Sequence, residues 1–107
     1  MIKQSFDDWA NIGVKLFGKD KKSWKFVCPR CKTTQSFYDF EKYTNLNYEQ
    51  IHTQIAFSCI GRNTKEKGCD WTLGGLFKIH EKEVINDNNE VRPMFLFYGE
   101  KNGITNV

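Results

Sequence analysis

The chain has 107 residues, a formal charge of +3 and 15% aromatic residues, with 9 Phe, 4 Tyr and 3 Trp. So many large rings exclude a disordered chain despite a mean hydropathy of −0.61, and no stretch nears the roughly 18 apolar residues of a membrane helix. A single domain over 1–107 is expected, small enough for its core to need a staple.

In chain order, Ser5 to Phe17 predicts an amphipathic helix. Ser5 can cap it, Asp7 and Asp8 suit its positive end, and Phe6, Trp9, Gly13, Leu16 and Phe17 share one face. Gly18 is a natural stop. A charged loop leads to a strand over Trp24-Lys25-Phe26-Val27, which enters Cys28. Ser36 to Tyr43 predicts a short helix with Ser36 as cap and Asp39 three residues on, and Asn47 with Gln50 marks another over 48–53. Gln54 to Ile60 reads as a strand with Ile55 and Phe57 on one side. Phe77–Ile85 and Val91–Tyr98 flank Asn86-Asp87-Asn88-Asn89 as a closing β-hairpin, and Pro93 marks the second strand as an edge. Alternation separates Phe95 and Phe97 from Met94, Leu96 and Tyr98. One of these two sides is left for a partner, or for the N-terminal helix to cover. The expected class is small α+β: an N-terminal helix on a mostly antiparallel sheet, built around a zinc-ribbon-like site.

That site is the strongest signal. Met1-Ile2-Lys3-Gln4-Ser5 lacks the apolar region of a secretory signal, so a cytoplasmic location is expected. Thiols stay reduced there, and four cysteines then point to metal before disulfides. Cys28-Pro29-Arg30-Cys31 sets two thiolates three residues apart, a spacing that serves one tetrahedral ion when the chain turns tightly. Cys59 and Cys69 complete the set, with the polar stretch Gly61 to Gly68 as an excursion whose ends return to the ion. Four thiolates close the coordination sphere, which makes the expected Zn2+ structural rather than catalytic. Iron on the same four sulfurs, four inert core thiols, disulfides, and a redox dithiol at Cys28 and Cys31 are the competing readings; the last lacks its βαβ setting. His52 and His80 are the only histidines. His80 is expected on the solvent face of its strand.

Zinc on four thiolates would lower the formal charge to about +1, so the protein is not strongly basic. Its charges are uneven all the same. Cations crowd Lys15 to Lys32, and Glu81, Glu83, Asp87 and Glu90 crowd the closing hairpin around Lys82. A nucleic-acid surface would use Lys21, Lys22, Lys25, Arg30, Lys32 and Arg62, with Trp24 and Phe26 stacking on bases if exposed. If those rings are core, the lysines are a solvated face. No nucleophile with a base, and no Gly-rich phosphate loop, marks an enzyme; Gly74-Gly75 reads as a bend, and catalysis is not expected.

By Cys28-Pro29-Arg30-Cys31, Ser58-Cys59-Ile60-Gly61-Arg62 and Gly68-Cys69-Asp70-Trp71-Thr72-Leu73-Gly74-Gly75-Leu76-Phe77, the chain resembles a family of small uncharacterised proteins of phages, prophages and bacteria. The likeness covers about residues 6–98. It implies a mobile-element context and the cytosol of a host cell, not a chemistry. In that context, proteins without catalytic groups act by occluding host machinery. The expected partner is then a host protein or nucleoprotein complex, such as a polymerase or a CRISPR or other defence nuclease. Gly68-Cys69-Asp70-Trp71 also looks like a step of topoisomerase-type zinc ribbons that bind single-stranded DNA, though the cysteine spacings differ. A single-stranded DNA or RNA accessory protein is therefore the alternative.

Overall fold

The computed structural model describes residues 2–74, 81–101 and 104–105. Strand β1 (Ile2–Ser5) runs into helix α1 (Phe6–Phe17), where Ser5 accepts the Asp8 amide at 3.1 Å and Asp7 and Asp8 sit in the first turn. Ile12 and Gly13 turn to the core, whereas Phe6 stays substantially exposed. A Cβ at Gly13 would lie 2.5 Å from the Trp24 ring, so glycine is what lets the helix approach that indole. Trp9 and Trp24 pack edge-on at 5.5 Å, and Trp9 also stacks on Phe97 at 5.5 Å. Each buried Phe or equivalent ring here contributes roughly 1.5–3 kcal/mol. The N-terminal helix therefore covers the Phe97 side of the sheet.

A one-turn 3₁₀ helix (Lys21–Ser23) precedes β2 (Phe26–Val27), and β3 (Thr34–Gln35) leads to α2 (Phe37–Tyr43) and α3 (Tyr48–Gln54). Both short helices begin in reciprocal capping boxes, Ser36 with Asp39 and Asn47 with Gln50, as their sequences predict. Then come a second 3₁₀ turn (Ile60–Arg62), β4 (Lys82–Ile85), β5 (Val91–Met94), β6 (Leu96–Phe97), β7 (Glu100–Lys101) and β8 (Ile104–Thr105). The strands form two three-stranded sheets in the orders β1-β4-β5 and β3-β2-β6, with β7 paired to β8. All pairings are antiparallel except β1 with β4. The fold is small α+β, with mostly antiparallel strands.

Three expectations are revised. Residues 54–60 are not a strand: α3 runs to Gln54, and the amides of Phe57 and Ser58 both return to the Gln54 carbonyl. The turn continues from the helix that the Asn47 box nucleates, which ends at Gln54 where the alternating stretch begins; only a single bridge, Ser58 to Thr72, survives of the strand pattern. The strand entering Cys28 is shorter than Trp24–Val27, because Trp24 closes the 3₁₀ turn through its amide to Lys21 at 3.2 Å. The closing hairpin exists as β4 and β5 around an Asn86 turn, with Pro93 on an edge strand. Its second arm, however, divides at Phe95, whose amide goes to the Ala56 carbonyl at 2.7 Å, so β6 joins the other sheet. Residues 77–80, including His80, lie outside the described residues.

Lys82, the one cation among the acidic residues of the hairpin, is fully buried, and its Nζ meets both carboxylate oxygens of buried Glu100 at 2.5 and 2.6 Å. The ammonium also lies 4.8 Å from the Phe97 ring centroid. Desolvation pushes the Lys82 pKa down, and Glu100 pulls it back up. Glu100 Oε1 accepts the Phe97 amide at 3.1 Å as well, tying β4 and β6 to the start of β7.

Candidate metal centre

Two backbone knuckles bring the four cysteines together. In the first, the Cys28 amide bonds the Thr33 carbonyl at 3.0 Å and the Lys32 amide bonds the Cys28 carbonyl at 2.9 Å. Lys32 takes a φ of +64° to close this turn. In the second, Cys59 starts a 3₁₀ turn and its amide bonds the Trp71 carbonyl at 2.9 Å, which returns Cys69 to its side. Gly61 and Gly68 make that return possible. A Cβ on Gly61 would collide with the Cys69 backbone, and one on Gly68, at φ +82°, would lie 2.8 Å from Cys59 Sγ. The polar excursion between these glycines thus leaves the site and comes back to it.

The sulfurs of Cys28, Cys31, Cys59 and Cys69 all lie within 4.8 Å of one another. Cys28 to Cys69 and Cys31 to Cys59 are each 3.7 Å apart. A tetrahedral ion with four sulfurs at about 2.3 Å sets neighbouring sulfurs about 3.8 Å apart, so two edges already have that length and the rest are at most about 1 Å longer. A disulfide needs about 2.05 Å, and all four cysteines are free.

Hydrogen bonding prepares the sulfurs for negative charge. Cys59 Sγ accepts the Cys69 amide at 3.2 Å. Amides of Cys31 and Arg30 point at Cys28, that of Thr33 at Cys31, and that of Trp71 at Cys69. Burial still drives the Cys28 thiol far up and raises Cys69. It also works against Cys31, but the Thr33 hydroxyl and amide and the adjacent thiols outweigh it and lower Cys31 to about 7. Burial thus favours the protonated forms of Cys28 and Cys69; a divalent ion reverses that balance and holds all four cysteines as thiolates. The donor set, spacing and amides fit a metal ion.

A family model described as VVA0879-like matches residues 5–98, a span that contains all four cysteines. The chain belongs to the VVA0879-like family. Comparison with curated proteins and with solved structures gave no match.

In this VVA0879-like chain, Lys22, Arg30 and Arg62 of the basic residues considered for nucleic acid have oxygen partners within the chain. Arg30 and Arg62 do converge, as their places in the two knuckles predict, but on Asp70: Arg30 Nη1 meets its carboxylate at 3.1 Å and Arg62 Nη1 its carbonyl at 2.8 Å. Lys22 faces Glu41 at 3.7 Å and sits 4.9 Å from the Phe37 ring centroid. Lys21, Lys25 and Lys32 are exposed. Trp24 and Phe26 are buried, which corrects the idea that they stack on bases; they are core rings. His52 is exposed and lies not among the thiols but 4.3 Å from the Tyr48 ring. Gln35, which sequence reading passed over, proves central. Fully buried, it donates to the Ile55 and Ser58 carbonyls and accepts the Ile60 amide, all at 2.8 Å. A lone glutamine in a polar run carries no sequence signal of that role. No helix among the described residues is long and apolar enough to cross a membrane.

Proposed function

We propose that this is a zinc-clamped, non-catalytic binding protein of mobile-element type that acts in the host cytosol on a protein of host machinery, a CRISPR or other defence nuclease being one such target. The observation that carries the zinc reading is four sulfurs within 4.8 Å of one another, each facing at least one backbone amide. All-sulfur tetrahedral donation suits zinc, and a closed shell leaves no place for a reacting water. The clamp's task is to hold the two knuckles together in a chain whose described strands have only 2 to 4 residues.

A protein partner is favoured over single-stranded nucleic acid by two features. The rings needed for stacking are in the core, and Arg30 and Lys22 each face a carboxylate. The phage and prophage resemblance supports a host target. Elemental analysis of freshly purified protein, with cobalt substitution to display the tetrahedral thiolate spectrum, tests the metal. One equivalent of zinc is expected; a folded protein that holds no metal and ignores chelators removes the clamp, and iron in its place corrects its identity. For the partner, capture from host lysate beside single-stranded oligonucleotide binding separates the two classes. Salt-sensitive oligonucleotide binding, weakened by Lys22→Glu and Arg30→Glu, would establish the nucleic-acid alternative instead.

A further inference from the structure

A second site lies away from the thiols. Two ring clusters border a cavity of ≈ 130 Å³. One is Trp9, Trp24 and Phe26, from α1, the segment entering β2 and β2 itself; the other is Phe37, Tyr48 and His52, from α2 and α3. The first three and Phe37 are held by the core, whereas Tyr48 is 62% exposed and His52 is exposed, so the site opens on the α3 side. Lys21 and Lys22 complete the charged part of the lining, and no carboxylate is part of it.

Size, polarity and charge together select the occupant. A cavity of about 150 Å³ accommodates one benzene ring, while drug-sized sites need at least about 300 Å³. This one therefore takes a single ring, for which the six rings of its lining offer edge-to-face and offset contacts that a branched aliphatic side chain would not use. Its walls are ring carbon, which suits an apolar group better than the polar edges of a nucleobase. Lys21, exposed and without an ion pair among the described residues, calls for an anion beside that group, and Lys22, whose Glu41 partner is 3.7 Å away, adds a second cation that a closer carboxylate can engage.

We propose that this cavity is an anchor pocket for an aromatic side chain flanked by acidic residues on a protein partner. The inference rests on the protein-partner reading and gives it a recognition chemistry. Binding energy at protein interfaces concentrates where one buried anchor fills a pocket; here the flanking charges would supply selectivity.

The test uses the full metal-loaded chain and a blocked peptide, acetyl-Asp-Phe-Asp-Glu-amide, followed by NMR of the three indole N–H signals. Trp9 and Trp24 border the cavity and Trp71 does not, so Trp71 serves as internal reference. Saturable shifts of Trp9 and Trp24 are expected. Binding should weaken at least tenfold for the Asn-Phe-Asn-Gln and Asp-Ala-Asp-Glu peptides, and also for protein carrying Lys21→Glu with Lys22→Glu. Tyr48→Ala, at an exposed position, should weaken it too and guards against misfolding of the lysine variant. No saturable shift, equal response to all three peptides, or a response to oligothymidylate with the acidic peptide silent would overturn the proposal. A lysate that yields no partner would sink the protein-partner reading and leave the peptide titration to decide the pocket. A captured partner that binds the lysine and Tyr48 variants undiminished would sink the pocket and keep that reading.

Discussion

The Gln35 side-chain oxygen accepts the Ile60 amide across 25 residues of sequence, at 2.8 Å in the buried core. With its amide nitrogen on the Ile55 and Ser58 carbonyls, Gln35 joins the strand after the first cysteine knuckle to the turn that opens the second. The clamp is thus backed by a polar tie made by a side chain outside the four cysteines.

Gln35→Ala should therefore destabilise the metal-loaded protein by about 3 kcal/mol or more, because it leaves a buried N–H and two carbonyls without partners, each costing roughly 1–3 kcal/mol. Gln35→Glu should also destabilise, since it keeps the acceptor for Ile60 but sets a carboxylate against two carbonyls. Urea unfolding reads both; a midpoint equal to wild type for Gln35→Ala would contradict the tie.

Removing the metal should cost more than any single side chain. Zinc binding in small domains is worth roughly 10–16 kcal/mol, comparable to the stability of a whole domain. Chelation, Cys28→Ser or Cys59→Ser should lower the thermal midpoint by tens of degrees or abolish the transition. Acid should act likewise, since each bound thiolate must regain a proton to let the ion go. Metal release monitored by a chromogenic chelator should rise as pH falls.

The Lys82–Glu100 pair predicts a strong asymmetry. Lys82→Met alone leaves the Glu100 carboxylate buried without its cation and should cost about 3–5 kcal/mol. Lys82→Met with Glu100→Gln removes both charges and should recover most of that loss. A double-mutant cycle measures the coupling. Additive effects of the two substitutions would show that the pair is not a unit.

Two glycines with similar positive φ should differ in their effect on metal. Gly18 has φ +87° with nothing within 4 Å of a would-be Cβ, so Gly18→Ala should cost backbone strain of about 1–3 kcal/mol and leave metal content intact. Gly68→Ala adds the same kind of strain but also pushes a methyl group to 2.8 Å from Cys59 Sγ. Its zinc affinity should fall at least tenfold in a competitive chelator titration. Equal metal retention in the two variants would disprove the crowding.

Local chemistry is readable one segment at a time, and that is where the sequence by itself sufficed. The caps at Ser5, Ser36 and Asn47, the Asn86 turn, the edge position of Pro93 and the ligand spacing of Cys28 and Cys31 are short-range features that a few neighbouring residues decide. The gathering of Cys59 and Cys69 with them was legible too, because unpaired thiols in that number have few other uses. Tertiary structure alone decided the rest. An alternating stretch at 54–60 became a turn because the capped helix before it ran on and Cys59 had to reach the other knuckle. Charged Lys82 went inside because Glu100, 18 residues away, was there to meet it. Gln35 and the ring pocket arise the same way. Their partners come from distant segments, and pairing energies between such segments leave no periodic trace along the chain.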